Sequence, residues 1–389
     1  MIVIISDDIT GAAEIAGIAH GYGLTTVLTT GEQCPKTSNA EVVVFAADTR
    51  SMSEEEACDT MRRIATPLKE VEELYVFKKI DSVLRGHVTA EMQALMDTLQ
   101  CPRALLVPQN PSKQRIIRNG EYLIENIPLH QTPFRDDPEY PASTSQVEEL
   151  LQHRAQVLQV AEVLPAAGIC VANAESIEQV AAQTAKCTSM GATLPTGMGG
   201  ILIGGAADAF GTWLKQLYPD IENREKPSAL PPVTEVNRAL IVCGSTQSKS
   251  IVQLPYLRAI DATEVMMPED VFHGSDEQMW FRLLQEEYEQ SPVMVMGIGD
   301  YGNFGAAYAL RLKEVMAQAV HALIMQHPPQ LLLIEGGATA FAILSKLRWS
   351  TFSVEGQYAP GVVGIRHGNI HIILKPGSYP WGAIFGRYK

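Results

Sequence analysis

Polar and charged side chains follow each of four short apolar runs in the first half of the sequence. They are Asp7, Asp8 and Thr10 after the first run, Asp48, Thr49 and Arg50 after the second, Lys78, Lys79, Asp81, Ser82, Arg85 and Gly86 after the third, and Gln109, Asn110, Lys113 and Arg115 after the fourth. Helix capping accounts for Asp, Ser and Thr at such positions, and we expect Thr10 and Ser53 to be caps. Capping does not account for Arg50, Lys79 or Arg85, because a cation near a helix start opposes the helix dipole.

A pocket for a carboxylate explains these three cations better than capping does. Arginine binds a carboxylate through two parallel hydrogen bonds, and lysine adds a point charge. In such a pocket Asp8 or Asp81 could accept the proton of a substrate hydroxyl, a role that depends on reach and orientation. The first half of the chain is therefore predicted to hold a site of mixed cations and carboxylates.

Glycine-rich turns follow the apolar runs of the second half. Gly244 and Ser245 follow one run, and the turn at 336–339 follows another and opens a helix predicted at 340–347. Such turns let backbone N–H groups approach phosphate oxygens at a helix start. A tight turn with positive φ is the alternative for any single glycine pair. Two such turns, together with Lys375 and Gly377, favour nucleotide binding.

A GxGxxG motif at 297–302 points to a different chemistry. It lies between a predicted strand at 293–296 and a helix, as a dinucleotide-binding fold requires. The acidic residue expected about 20 positions later is missing, since 317–325 is predicted to be helical and Glu335 comes more than 30 residues on. An NAD(P)-dependent oxidoreductase remains the alternative to a nucleotide-dependent kinase, and a non-catalytic sensor of a small acid is a third. No GxxxxGK[ST] motif is present, which excludes a P-loop kinase.

The elements that must position these residues alternate between strands and helices. Strands are predicted at 2–5, 42–46, 74–77, 104–107 and 201–203, then at 239–243, 293–296 and 331–334, with a hairpin from 362 onward; helices are predicted at 12–19, from Ser53, at 89–99 and at 340–347. The charged, proline-rich segment 219–236 marks a domain boundary. We therefore predict an α/β fold of two domains, 1–225 and 236–389, each a largely parallel sheet flanked by helices, with the active site in the cleft between them.

Composition excludes several other classes of protein. The 389 residues include 30 Lys and Arg against 44 Asp and Glu, and the net charge of −14 argues against general nucleic-acid binding. No apolar stretch reaches 18 residues, so we expect no membrane span, and MIVIISDD predicts a first strand rather than a signal peptide. Six scattered cysteines are expected to be reduced thiols in a cytoplasmic protein. The pair His367 and His371 lies in the predicted hairpin, where its spacing does not build a metal site.

Eight short motifs together resemble the four-carbon acid sugar kinase family. They are SDDITGA at 6–12, DTRS at 48–51, KKIDSVLRGH at 78–87, TPFRDDP at 132–138, GST at 244–246, GGATA at 336–340, PGV at 360–362 and KPGS at 375–378. The resemblance implies an ATP-dependent, Mg²⁺-requiring kinase that phosphorylates the terminal (4-) hydroxyl of a four-carbon sugar acid such as D-threonate or D-erythronate. It also implies that the N-terminal domain holds the acid and the C-terminal domain holds ATP. The KKIDS form is more similar to the D-threonate and D-erythronate kinases than to the 3-oxo-tetronate kinases.

The resemblance also implies site residues. Those expected to contact the acid are Asp8, Arg50, Lys79, Ile80, Asp81 and Ser82, with Arg85 added from its position; those expected to contact the nucleotide are Ser245, Gly336, Gly337, Ala338, Thr339, Gly361 and Gly377, with Gly244 and Lys375 added from the glycine-rich turns. The Mg²⁺ ligands are not identified. Two departures from the family stand out: Gln114 replaces a glycine of many members, and SYPWG at 378–382 replaces the usual Asn-Phe-Gly after KPG.

These residues lead to an expected mechanism. Arg50 and Lys79 are expected to hold the substrate carboxylate, while Asp8, or failing that Asp81, deprotonates the attacking hydroxyl. Backbone N–H groups at Gly336 and Gly337 are expected to hold phosphates, and segment 219–236 to permit a closure that excludes water. The oligomeric state is left open, although a homodimer is common for enzymes of this kind.

Overall fold

A computed structural model describes residues 1–34, 39–137, 139–188, 200–233, 237–244, 257, 262–299, 301, 306–377 and 384–385. Its contacts divide the chain into two compact units, Met1–Lys226 and Pro227–Lys389. The division falls within the proline-rich segment 219–236. No helix in the part of the chain described is long and apolar enough to cross a membrane.

The first unit is an α/β structure built on a parallel sheet. Its elements in chain order are β1 Ile2–Ser6, α1 Ile9–Gly21, β2 Thr26–Thr29, β3 Val42–Ala46, α2 Glu54–Ala65, β4 Tyr75–Lys79, α3 Val88–Leu99, β5 Arg103–Val107, β6 Arg115–Arg118, β7 Glu121–Ile124, β8 Ile127–Pro128, α4 Val147–Leu150, β9 Gln156–Leu158, β10 Gly168–Ala172, α5 Ile177–Thr188, β11 Ile201–Gly205 and α6 Ala207–Leu217. Eight strands form the sheet in the order β2-β3-β1-β4-β11-β5-β10-β9, and neighbouring strands are parallel throughout.

The central strands form because their residues are apolar on both faces. Every residue of β1, β3 and β11 is buried, as expected for parallel strands covered by helices on either side. The five strands predicted in this unit are confirmed. However, β4 runs to Lys79, so Lys78 and Lys79 lie within the strand and not after it. Their side chains therefore point to opposite faces of the sheet.

Two helix starts show how local chemistry sets the ends of elements. Ser53 caps α2 in a capping box with Glu56, as predicted. The prediction for Thr10 is wrong, because Asp8 is the cap of α1: its extended backbone lets its carboxylate accept the N–H of Gly11. Thr10 lies inside the helix and donates its hydroxyl to Asp8.

Strands β6, β7 and β8 form a small antiparallel sheet of their own, inserted after β5. The sequence analysis did not predict it, nor strands β2, β9 and β10. Strands β2 and β9 and those of the small sheet have at most four residues, and β6 is only two apolar residues between Arg115 and Arg118. Strand β10 is as long as the predicted strands, and its apolar run at 169–172 is a signal that the sequence prediction missed.

The second unit repeats the α/β pattern with an antiparallel end. Its elements are β12 Ala239–Cys243, β13 Thr263–Met266, α7 Glu269–Phe272, α8 Glu277–Gln290, β14 Val293–Gly297, α9 Ala306–Gln326, β15 Leu331–Glu335, α10 Gly337–Lys346, β16 Thr351–Ala359, β17 Val362–His367 and β18 Ile370–Lys375. The strand order is β13-β14-β12-β15-β18-β17-β16, parallel from β13 to β18 and antiparallel beyond it. The predicted hairpin from 362 onward is confirmed as β17 and β18.

Candidate active site

The carboxyl ends of β1, β3 and β4 bring the predicted acid-binding residues together. β1 lies between the other two, with Ser6 paired in register to Ala46 on one side and to Lys79 on the other. The residues that follow these three strands therefore meet at one edge of the sheet. This edge holds Asp7 and Asp8, the loop from Asp48 to Arg50, and the loop from Ile80 to Arg85.

Arg50 lies at the centre of three carboxylates. Its Nε donates to Asp7 Oδ2 at 2.8 Å, and its Nη2 lies 2.7 Å from the same oxygen. Nη2 also lies 3.2 Å from Asp8 Oδ1 and 3.6 Å from Asp81 Oδ1. Although burial opposes the charge, Asp7 and then Asp8 outweigh it and raise the pKa of Arg50 well above its usual value. The charge of Arg50 is thus already balanced by protein carboxylates.

Asp8 is held at the start of α1 and keeps a partly exposed carboxylate. It accepts the backbone N–H of Gly11 at 2.9 Å and the hydroxyl of Thr10. Burial raises its pKa, but Arg50 and Lys79 outweigh burial, so that the pKa of Asp8 is lowered. A Cβ at Gly11 would lie 2.5 Å from Asp8 Oδ1 and 3.0 Å from Lys79 Nζ, so only glycine leaves room for this arrangement.

Asp81 is engaged far more completely by its own loop. Its Oδ2 accepts the backbone N–H of Val83 at 3.1 Å and Nε of Arg85 at 3.1 Å, and its Oδ1 accepts Nη2 of Arg85 at 2.8 Å. Arg85 also donates to Asp137 at 3.0 Å. Burial is outweighed by Arg85 and Arg50, which hold the pKa of Asp81 far below its usual range. This carboxylate shapes the loop and orients Arg85.

The remaining predicted acid-binding residues differ in what they expose. Lys79 donates its Nζ to the carbonyl of Ile80 at 2.8 Å, and the N–H of Ile80 donates to Gly205 at 3.2 Å. The side chain of Ile80 is buried in the core of the unit. Ser82 accepts a hydrogen bond from Arg115 through its hydroxyl, and its carbonyl accepts the hydroxyl of Tyr122.

A buried ion pair beneath this edge was not predicted from the sequence. Lys78 Nζ lies 2.7 Å from Glu91 Oε2, and both side chains are almost completely buried. Thr49 donates its hydroxyl to Glu91 Oε1 at 2.6 Å, which ties the loop after β3 to helix α3. Asp48 adopts a left-handed backbone with φ of 51° immediately before it. The bond from Thr49 holds this unfavourable turn and thereby the backbone of Arg50.

The segment after β8 also contributes to the site. Tyr140 donates its hydroxyl to the carbonyl of Arg50, and burial raises the pKa of Tyr140 to about 12, so this donor keeps its proton. The guanidinium groups of Arg85 and Arg115 both lie over the ring of Phe134, at 5.4 and 5.6 Å. Within the segment after β8, Phe134 belongs to the TPFRDDP motif identified in the sequence, whereas Tyr140 gave no signal there.

In the second unit, the glycine-rich turns meet at the carboxyl ends of β12, β15 and β18. β15 lies between the other two, with Glu335 paired in register to Cys243 and to Lys375. Gly336 has φ of 101°, a conformation that favours glycine, and precedes Gly337 to Thr339 in the first turn of α10. A Cβ at Gly244 would lie 2.0 Å from Thr339 Oγ1, so the close packing of the two turns requires glycine at position 244 as well.

The other predicted nucleotide contacts lie at the same edge or outside the structure described. Gly361 has φ of 79° in the turn between β16 and β17, beside the end of β18, and Gly377 follows that strand. Lys375 Nζ lies 2.5 Å from Glu335 Oε1, and both side chains are buried. Ser245 and the segment 378–382 lie outside the described residues.

Neither the GxGxxG motif nor a metal cluster gives a competing site in the described residues. Gly297 ends β14, and a Cβ at Gly299 would lie 2.3 Å from the ring of Tyr301; 300 and 302 lie outside the part described. Helix α9 occupies the stretch where a dinucleotide fold needs an acidic strand end. Within the described ranges, no group of three His, Cys, Asp or Glu side chains could hold a metal ion.

Comparisons with known proteins agree with this division. Residues 2–194 match a family described as a sugar-binding N-terminal domain, and residues 240–379 match a nucleotide-binding C-terminal domain. The chain is 29% identical to a D-threonate kinase of Salmonella typhimurium over 157 residues, 40% of this chain and 37% of that protein. It is 30% identical to a D-erythronate kinase of Heliobacterium modesticaldum over 171 residues, 42% of this chain and 39% of that protein. These two alignments thus span about two fifths of either relative.

A longer alignment joins the whole chain to a third relative. A 3-oxo-tetronate kinase of Methylobacterium radiotolerans is 23% identical over 413 aligned positions, which cover 98% of this chain and 97% of that protein. Among solved structures, a Haemophilus influenzae protein aligns with a TM-score of 0.67 at 19% identity and covers 98% of both chains. A Salmonella typhimurium protein titled a putative tRNA synthase aligns with a TM-score of 0.73 at 19% identity, covering 99% of this chain and 97% of that one. These structures establish the α/β fold, and the two matched domains, one after the other, show that the chain belongs to the four-carbon acid sugar kinase family.

Proposed function

We propose that the protein is an ATP-dependent kinase that phosphorylates the terminal (4-) hydroxyl of a four-carbon sugar acid such as D-threonate or D-erythronate. The observation that carries the proposal is the cluster at the ends of β1, β3 and β4. There Asp8, Arg50 and Lys79 converge, as an acid with several hydroxyls requires. The named relatives act on three different four-carbon acids by their titles, so the class of substrate is better supported than the individual acid.

Asp8 is the better candidate for the base that receives the proton of the attacking hydroxyl. Its carboxylate is partly exposed, and its lowered pKa keeps it ionised at neutral pH. Asp81 has both oxygens bonded to its own loop and is more deeply buried. A base must reach the substrate hydroxyl before its basicity matters, and this favours Asp8.

The acid would contact Lys79, Arg50 and Ser82 around this carboxylate. Lys79 Nζ lies beside Asp8 at the edge of the sheet. One of its three N–H groups donates a hydrogen bond to the Ile80 carbonyl, which leaves two for a ligand. Arg50 keeps 18% of its side chain exposed and can donate to substrate hydroxyls while its charge is balanced by aspartates. Phosphoryl transfer depends mainly on alignment and charge neutralisation, which such a rigid set of donors supplies.

The nucleotide would bind the second unit at the start of α10. Gly336 to Thr339 form a glycine turn that opens a ten-residue helix, and backbone N–H groups at a helix start attract phosphate oxygens. The N–H of Gly336, expected from the sequence to hold phosphate, instead donates to the carbonyl of Lys375 at 2.9 Å, so this role would fall to the N–H groups of Gly337 to Thr339. Lys375, already paired with Glu335, holds the end of β18 beside this turn. The residues fit a polyphosphate, and Mg²⁺ would neutralise its charge through the phosphate oxygens themselves.

The decisive experiment is an ADP-release assay with Mg·ATP across D- and L-threonate, D- and L-erythronate and their 3-oxo forms. We expect turnover of at least one of these acids, with the phosphate on the terminal hydroxyl of the isolated product. A thermal-shift screen in parallel distinguishes the alternatives, because a ligand stabilises the state that binds it. Stabilisation by NAD(P) without ATP would indicate the oxidoreductase, and stabilisation by sugar acid without nucleotide or turnover would indicate a sensor.

A further inference from the structure

The charges around Asp8 do not favour an anion unless a further cation takes part. The carboxylates of the cluster are Asp7, Asp8, Asp81 and Asp137, and its cations are Arg50, Lys79 and Arg85. Four acids against three bases leave one negative charge when all are ionised, and no net charge when Asp7 is protonated as its burial favours, so in neither state is a positive charge left over. The other cations of the neighbourhood are also balanced, since Lys78 pairs with Glu91 and Lys113 pairs with Glu14. A sugar acid therefore needs a cation that no protein carboxylate neutralises.

Arg115 is a cation of this kind. Its Nη1 donates to the hydroxyl of Ser82, and its guanidinium lies over the ring of Phe134. Within the described ranges, no carboxylate lies at salt-bridge distance from it. Arg115 is half-buried, and among the residues described its Nε and Nη2 make no hydrogen bond, so these N–H groups can donate to a ligand.

The backbone around Arg115 holds the side chain in place before any ligand arrives. Arg115 begins β6, where it exchanges two hydrogen bonds with Asn110, at 2.8 and 3.1 Å. Phe134 orients the guanidinium from one side and also packs against Arg85, which is fixed by Asp81 and Asp137. An arginine ordered in this way loses little conformational freedom on binding.

We propose that Arg115 binds the carboxylate of the four-carbon acid and makes the site select acids over neutral polyols. The contact with Ser82 places Arg115 directly against a residue expected to touch the acid. A planar guanidinium matches a carboxylate with two parallel hydrogen bonds, and its charge is the one that the cluster lacks. Arg50 and Lys79 then donate hydrogen bonds to the substrate hydroxyls that lie next to Asp8. This inference rests on the proposed kinase function.

The test compares Arg115→Gln and Arg115→Lys with the matched control Arg118→Gln. Arg118 lies on the same strand but is exposed and paired with Glu175. For Arg115→Gln we expect the KM of the preferred acid to rise by about 10- to 100-fold, the scale of a lost charged hydrogen bond. We expect kcat and the KM of ATP to stay within about threefold of the wild-type values, a small change beside the expected rise in the KM of the acid. Arg115→Lys should recover part of the affinity, because it restores the charge without the paired geometry.

Binding of the acid and of its neutral carboxamide, measured by calorimetry, separates recognition from a structural role. The variant Arg115→Gln should lose affinity for the acid and leave the carboxamide nearly unaffected. An equal loss of affinity for both ligands, or an unchanged KM for the acid, would overturn the inference. If the carboxamide does not bind the wild type, the comparison of Arg115→Gln with Arg115→Lys on the acid is the test: equal losses in both variants would overturn the inference. A wild-type protein that phosphorylates no four-carbon acid would refute the proposed function itself, a result distinct from failure at Arg115.

Discussion

Asp7, Asp8 and Asp81 all lie within reach of one guanidinium, yet their surroundings give them different chemistry. Burial raises the pKa of Asp7, whose Oδ2 takes both bonds from Arg50. Arginines and Lys79 lower the pKa of the other two. For Asp8 and Asp81 the ionised form therefore stabilises the fold above about pH 4, and this contribution falls as the pH drops through the folded pKa. For Asp7 the sign is opposite, because burial favours its protonated form. Asp7 positions Arg50, Asp81 orders its loop, and Asp8 is left for the substrate.

At the residue scale, Asp8→Asn tests the assignment of the base. Asparagine caps a helix as well as aspartate does, so α1 should persist, while the lost charge pairing with Arg50 and Lys79 should lower the stability of the protein. It cannot take the proton, and we expect kcat to fall by a factor on the order of 10² or more with the affinity for ATP unaltered. Steady-state kinetics and nucleotide titration measure both. Asp59→Asn, which alters an exposed aspartate of α2, is the control. Near-normal turnover in Asp8→Asn would remove Asp8 from this role and leave Asp81 as the candidate.

At the scale of elements, the small sheet β6–β8 positions Arg115 through an unfavourable turn. Gln114 has φ of 55° and ψ of 34°, the left-handed region, where many members of the family have glycine. A side chain in this region raises the energy of the folded state. Glutamine at position 114, the departure noted in the sequence, therefore costs stability.

The variant Gln114→Gly should be more stable than the wild type. Relief of the left-handed strain outweighs the added freedom of the unfolded chain, and we expect a gain of about 0.5–1 kcal/mol in the free energy of unfolding. Urea denaturation followed by circular dichroism measures it. The same change at Gln93, exposed on α3, should destabilise by about 1 kcal/mol, because glycine weakens a helix interior. A loss of stability in Gln114→Gly comparable to that in Gln93→Gly would show that the backbone of Gln114 is not strained.

At the scale of the whole molecule, two units with separate cores carry two separate kinds of site. The first has its charged cluster at the ends of β1, β3 and β4, and the second has its glycine turns at the ends of β12, β15 and β18. In both, the site lies at the carboxyl ends of parallel strands, where open α/β sheets bind ligands. Each ligand should therefore slow amide hydrogen exchange in the unit that binds it.

Hydrogen exchange followed by mass spectrometry on the full chain tests this division. A non-hydrolysable ATP analogue with Mg²⁺ should slow exchange within 336–340 at the amides of Gly337 to Thr339, because phosphates occupy those N–H groups. The N–H of Gly336 already donates to the carbonyl of Lys375. The sugar acid alone should slow exchange at 48–52 and 80–86. Inorganic phosphate at the same ionic strength is the control for a general salt effect. Protection by the nucleotide at 48–52 with none at 336–340 would reverse the assignment of the two units.

The sequence alone predicted the central parallel strands, although not β2, β9 or β10, and it predicted the two strand edges at which the candidate sites lie. Strands such as β1, β3 and β15 are continuous apolar runs because helices cover both faces, and that pattern is local. The polar residues after them had to meet at one edge, since parallel strands end on the same side. The glycines at 244 and 336 were equally visible, because backbone conformation and close packing restrict the residue type.

Only the tertiary structure decided which charges are paired. Thr49 and Glu91 are 42 positions apart and Arg85 and Asp137 are 52 apart, and no local pattern indicates that they touch. Short, polar β6 was likewise not predictable, yet it carries Arg115 to Ser82. Secondary structure follows from periodicity along the chain, whereas the balance of charge in a site depends on side chains from distant elements meeting in space. For that reason the sequence predicted the edge that we propose binds the acid, but only the fold showed that Arg115, among its arginines, has no carboxylate at salt-bridge distance in the described residues.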